Sequence, residues 1–211
     1  RQTLLDSAEE LFATHGIDGV SNRRIAEHAG NANHSAVAYH FGGRDELIRA
    51  LINRHSESIR IRRHAVRDRI TPESGLRDLL SCLIFPMTDE YAALPAPSHR
   101  ARLIQQLRAV PSVADIIAET VVTDPLIDDL IGRVFTLLED IPKQVLVGRS
   151  WILGRTIVDA CAGYEERIEN RTVEADWTGL AHFLIDACTG MLGAPVTSAG
   201  DFLGSRYETI G

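Results

Sequence analysis

Apolar residues in this chain recur at the three- and four-residue spacing of a helix almost from end to end, and no stretch alternates apolar and polar residues between Asn-Gly or Asp-Gly turns. That pattern restricts the chain to an all-α fold. Leu4, Leu5, Ala8, Leu11 and Phe12 form the first stripe, with Asp6, Glu9 and Glu10 on the opposite side and Gly16 as the stop. Arg1 already falls inside this helical pattern, so an N-terminal arm is expected ahead of it. Ser21 is a good N-cap for a second, short helix through Ile25, Ala26 and Ala29 to Gly30. The segment SAVAYHF supplies a third helix. After Gly42-Gly43, Asp45 and Glu46 occupy the first turn of a long fourth helix, where carboxylates favour the helix dipole. Its apolar stripe runs from Ile48 to Ile70 and breaks at Thr71-Pro72. Further breaks near residue 95, at Pro111, at Thr123-Asp124-Pro125 and at Ile141-Pro142 leave segments of helical length between them.

Charge is divided unevenly along the 211 residues. The net charge of −7 argues against a phosphate-binding protein, yet residues 1–70 carry 11 arginines against 9 acids, while the remainder carries 11 basic against 20 acidic residues. A basic-leaning N-terminal part is thus joined to an acidic one. Cys82, Cys161 and Cys188 are odd in number and widely spaced, which disfavours a disulfide framework or a zinc site and fits a reducing, cytoplasmic setting. No 18-residue apolar run predicts a membrane span.

The helix, turn and short helix around Ile25, Ala26, Gly30 and Val37 have the spacing of a helix-turn-helix, in which small residues let two helices cross closely. The wider stretch LLDSAEELFATHGIDGVSNRRIAEHAG followed by YHFGGRDELIRALI resembles the DNA-binding module of the tetracycline-repressor (TetR) family of bacterial transcription factors. The resemblance covers residues 3 to 52 closely; Tyr39, His40, Phe41, Gly42, Arg44 and Leu47 match the run that ends the family's recognition helix and begins the next helix. Two departures stand out: the turn NANHS is one residue longer than the common form, and Asn31 replaces an apolar residue after the glycine.

The resemblance implies an N-terminal helix-turn-helix domain over residues 1–44 and a larger helical regulatory and dimerisation domain over 45–211. It implies that Tyr39 and His40 meet phosphate or base edges, that Phe41 anchors the recognition helix, and that Arg44 clamps a phosphate. Ser21, Arg23 and Arg24 would contact the DNA backbone. Ser35 and Ala36 would face outward toward bases, joined by Asn33 and His34 from the longer turn.

The expected function is that of a sequence-specific, homodimeric repressor of a near-palindromic operator, released by a small apolar effector; a ligand-independent DNA-binding or protein-interaction factor of the same fold is the alternative. Phe85, Met87, Tyr91, Leu103, Gln106, Leu107, Phe135, Trp151 and Arg155 could line the effector cavity, or be plain core. Trp177, Leu180, Leu184, Cys188 and Met191 form a stripe that could serve as a subunit interface or as ordinary core. His28, His34 and His40 do not share a helical face, so no metal is expected. The arginines between Arg60 and Arg69 read as a solvated face late in a helix, and the cysteines as inert packing. Neither a cofactor nor catalysis is expected: nucleotide-binding glycine motifs and zinc-protease motifs are missing, and Gly148-Arg149-Ser150-Trp151-Ile152 lacks the last glycine of a nucleophile elbow.

Overall fold

The computed structural model describes residues 1–111, 113 and 124–200. Among these residues it is helical throughout: α1 (Gln2–His15), α2 (Asn22–His28), α3 (Ala36–Phe41), α4 (Arg44–Val66), α5 (Leu76–Ala93), α6 (Arg100–Ala109), α7 (Pro125–Leu137), α8 (Lys143–Glu169) and α9 (Trp177–Gly193). A short 3-10 turn, Arg67–Arg69, finishes α4. No described helix is long and apolar enough to cross a membrane. The expectation of an all-α chain is met, and most of the boundaries fall at the breakers the sequence displays.

The chain divides into two compact units, one drawn from residues 1–59, 94–123 and 158–174, the other from 60–93, 124–157 and 175–211. In the first unit, Phe12 of α1, Ile25 and Ala26 of α2, Val37 of α3, and Leu47 and Leu51 of α4 close a single core, each 1% exposed or less. Leu103 and Leu107 of α6 enter the same core. The first four helices therefore do not bury their apolar faces by themselves; a helix from the middle of the chain supplies part of the packing. At about 25 cal/mol per Å² of apolar surface removed from water, leucines buried this fully rank among the larger individual contributions to stability.

α1 and α6 are also joined by charge. The Glu9 carboxylate, nearly buried, accepts from Arg100 Nε at 2.9 Å on both oxygens. It accepts as well from an Arg54 NH2 group on α4, whose NH1 reaches Asp6 at 2.6 Å. The other flank of α6 is held by Glu165 of α8, itself buried, which accepts from the backbone amides of Ala101 at 3.1 Å and Arg102 at 3.0 Å. A carboxylate placed on the first free amides of a helix satisfies donors that have no partner inside the helix.

In the second unit α5 packs against both α9 and α7. Tyr91 and Trp177 stack at 5.2 Å between ring centroids, and Phe85 meets His182 edge-on at 5.1 Å. Buried Arg63 of α4 pairs with buried Asp124 at 3.3 Å; Asp124 also caps α7 through the Leu126 amide at 3.1 Å. Cys82, Cys161 and Cys188 are buried free thiols. Burial pushes the pKa of Cys161 up to about 12 and that of Cys188 up to about 11. Thiols so reluctant to ionise are poor nucleophiles, in keeping with a packing role.

Candidate nucleic-acid interface

Local hydrogen bonding explains how the sequence builds the α2–α3 angle. Ser21 caps α2 by accepting from the Arg24 amide at 3.2 Å. At the other end Gly30 adopts φ +68°, its amide bonding to Glu27 O and the Asn31 amide to Ala26 O, the paired bonds of a Schellman ending. A Cβ on Gly30 would meet nothing within 4 Å, so the left-handed backbone, and not a close helix approach, is what calls for glycine there. Ala26 does provide the close approach, with no exposed surface.

The longer turn is held by its asparagines. Asn31 Oδ1 accepts from the Asn33 amide and Asn33 Oδ1 from the Ser35 amide, both at 3.0 Å, which gives α3 a side-chain-supported start. A polar residue after Gly30 thereby does by hydrogen bonding what an apolar one would do by contact. Gly42 at φ +90° and Gly43 at φ +153° end α3 and turn the chain into α4.

The exposed rim of this angle is continuous. Ser21, Arg23 and Arg24 of α2, Asn33, His34 and Ser35 of the turn, and Ala38, Tyr39 and His40 of α3 all face solvent. Tyr39 is 80% exposed and stands edge-on to the His40 ring, 4.9 Å between centroids. An exposed tyrosine beside an exposed histidine at the end of a short helix offers two donors with no intramolecular need for them, as groups that meet phosphates do. Phe41 is half-buried against the core, as expected of the anchor.

Two residues stand differently from the sequence reading. Ala36, expected to face bases, is 1% exposed and packs in the core beside Val37, so the first residue of α3 after its Ser35 N-cap faces inward. Arg44, expected to reach outward for phosphate, turns its guanidinium back into the protein. It donates to Val20 O at 2.8 Å, to Asn22 Oδ1 at 3.3 Å and to Ile17 O, and lies 4.9 Å over the Phe12 ring. Burial pulls its pKa below the ordinary value, against the pull of Asp18 and Asp45. Its observed work is to tie the start of α4 to the α1–α2 loop, which fixes the angle at which α3 leaves the core.

The other expected sites are dispersed. Leu103 and Leu107 are core residues of the first unit, and Gln106 lies beside Gly16 there. Phe85, Met87, Tyr91, Phe135, Trp151 and Arg155 belong to the second unit, where Tyr91 is committed to Trp177 while Trp151 is 41% exposed with Arg155 stacked on it at 5.5 Å. On α9, Trp177, Leu184 and Cys188 are buried within the subunit, and Leu180 and Met191 are half-buried. Among the described residues of this unit the exposed large apolar side chains are Phe183, at 66%, Ile61, Trp151, Ile152 and Leu137. The stripe of α9 thus faces α5, and Phe183, off that stripe, faces outward. No group of His, Cys, Asp and Glu suited to a metal ion occurs among the described residues.

Residues 4–51 match the family model described as "Bacterial regulatory proteins, tetR family". The chain is 39% identical over 51 residues to the HTH-type transcriptional repressor AcnR of Corynebacterium efficiens, a match covering 24% of this chain and 27% of that protein. It is 26% identical over 154 residues to AcnR of Corynebacterium diphtheriae, covering 69% of this chain and 72% of the relative. The fold is similar to the crystal structure of a TetR-like transcriptional regulator from Rhodococcus sp. RHA1, with a TM-score of 0.57 at 17% identity over 92% of this chain and 96% of that one. The helix-turn-helix built around Ala26, Gly30 and Val37 and the Tyr39-His40-Phe41-Gly42 run both fall inside the matched region, so the N-terminal part of the chain is similar to that of the tetR family of bacterial regulatory proteins, and the whole chain has a similar fold.

Proposed function

We propose that this chain is a DNA-binding transcriptional repressor that acts as a homodimer on a near-palindromic operator and is released by a small effector. The observation that carries the reading is the exposed rim of Arg23, Arg24, Asn33, His34, Ser35, Tyr39 and His40 on a tightly cored helix-turn-helix. α3 would enter the major groove, with Tyr39 and His40 donating to phosphates at its edge and Ser35 and Asn33 nearest the bases. Arg44 serves as the positioning residue behind α3, and the DNA-reading domain ends near residue 44. The relatives named as repressors support the direction of control.

For the dimer, the exposed Phe183 of α9 with Trp151 and Ile152 of α8 is the surface we assign to the partner subunit, in place of the stripe from Trp177 to Met191 that the subunit buries itself. Large aromatic and aliphatic side chains left in water are what an isologous interface removes from it. Phe183→Asp is expected to shift the protein from dimer to monomer in sedimentation velocity with its helical circular dichroism retained. A dimer that survives this change and Trp151→Asp alike would place the interface elsewhere.

Selection of bound duplexes from a random DNA pool tests the central reading. The expected product is one motif in two inverted halves whose centres lie about one helical turn or a multiple apart. Recovery of no enriched motif would overturn it. Release by an effector is tested by screening small molecules against the protein bound to that duplex, with displacement as the readout; no displacement by any compound class would favour a ligand-independent factor.

A further inference from the structure

On the same rim sits a carboxylate that a phosphate-binding surface has no evident use for. We propose that Glu27 acts as a brake on DNA affinity, holding Arg23 and His34 and placing negative charge where phosphate would come; the inference rests on the DNA-binding reading above. Glu27 lies on the exposed side of α2, and its Oε1 accepts from Arg23 Nε at 2.7 Å. The same oxygen lies 3.7 Å from His34 Nδ1, in the turn that leads into α3. The hydrogen bond from Arg23, with smaller help from the charges of Arg23 and His34, holds the Glu27 carboxyl below the usual carboxylate range, so it is ionised at neutral pH.

Stability gives little reason for the arrangement. Arg23 and Glu27 side chains are 71% and 47% exposed, and an ion pair one helical turn apart in such a position adds little to a folded helix. Its consequence for binding is larger, because every phosphate contact contributes to affinity whatever the sequence beneath it. Glu27 takes the Nε of Arg23, which leaves the guanidinium fewer donors for a phosphate, and its carboxylate repels a phosphate drawn to that guanidinium. Both effects act equally on operator and non-operator DNA, so the brake lowers sequence-independent binding and leaves discrimination to α3. Equal weakening leaves the ratio of operator to non-operator affinity as it is and lowers the occupancy of both, so the protein leaves DNA more readily.

The test compares the full chain with Glu27→Gln on two duplexes of equal length, the selected operator and a scrambled sequence, across a series of KCl concentrations. Glu27→Gln is expected to tighten binding to both, by roughly three- to tenfold, and to steepen the slope of log K against log salt by about one, the mark of an added phosphate contact. Adding Arg23→Gln to that variant should remove most of the gain. Unchanged or weaker affinity with an unchanged slope, in Glu27→Gln and in Glu27→Ala, overturns the brake. Wild-type protein that binds neither duplex overturns the DNA-binding reading itself, whereas wild-type binding with a neutral Glu27→Gln removes only this inference.

Discussion

Glu9→Ala is expected to cost about 3–5 kcal/mol of folding stability, the usual penalty for removing one member of a buried ion pair. The basis is geometric. Glu9 and Arg100 are both more than nine-tenths buried, and the carboxylate takes the Arg100 Nε donor on both oxygens at 2.9 Å while also receiving Arg54. Removing the acid leaves two guanidinium groups, from α4 and α6, facing each other across a low-dielectric gap. Glu9→Gln keeps the shape and loses the charge, so it should fall between wild type and Glu9→Ala. The double change Glu9→Leu with Arg100→Leu should recover much of the loss, since buried ion pairs can often be replaced by apolar groups of similar volume. Urea unfolding followed by circular dichroism measures all three. A loss under about 1 kcal/mol for Glu9→Ala would show that water reaches the site, contrary to the burial seen.

Acid is expected to destabilise the protein well above the pH at which carboxylates titrate, and His55 is the reason. Burial, with a smaller push from the Arg100 charge, lowers its pKa to about 3. In the unfolded chain a histidine titrates near 6.5. Between those values the unfolded state binds a proton that the folded state refuses, so stability is intact above about pH 6.5 and falls as pH drops toward 3. Linkage gives a loss of roughly 2 kcal/mol between pH 7 and pH 5 from this residue. His55→Gln, which keeps polar atoms but cannot take the proton, should be less stable than wild type at pH 7 yet show a flatter dependence from pH 7 to pH 5. Equal pH dependence in the two proteins would place the acid sensitivity on other groups. The two predictions concern neighbouring parts of one polar cluster on α1, α4 and α6, so the variants should be measured separately before being combined.

Much of the helix-turn-helix module was legible because its determinants are local. Helical periodicity located α1 and α4, Ser21 marked the start of α2, and Gly30 and Gly42 marked turns that require positive φ. What the periodicity could not supply was rotation about a short helix: Ala36 lies in the core, and a six-residue helix has too few turns for its stripe to reveal its facing. Long side chains were harder still. Arg44 is five bonds of rotation away from its backbone, and whether it reaches for phosphate or for the carbonyls of Ile17 and Val20 depends on where the α1–α2 loop lies. The stripe of α9 read equally well as core or interface until α5 was seen to cover it.

The sequence by itself determined that the chain is all-helical, where most helices begin and end, and that its first 50 residues resemble a known helix-turn-helix module, because caps, breakers and 3.6-residue periodicity act between near neighbours. Only the tertiary structure decided that α6 completes the core beneath that module, that Glu9, Arg54 and Arg100 meet there, and that Phe183 rather than Leu184 is left exposed. Those outcomes depend on contacts between residues dozens of positions apart, whose pairing is set by how whole helix faces pack and not by any spacing along the chain.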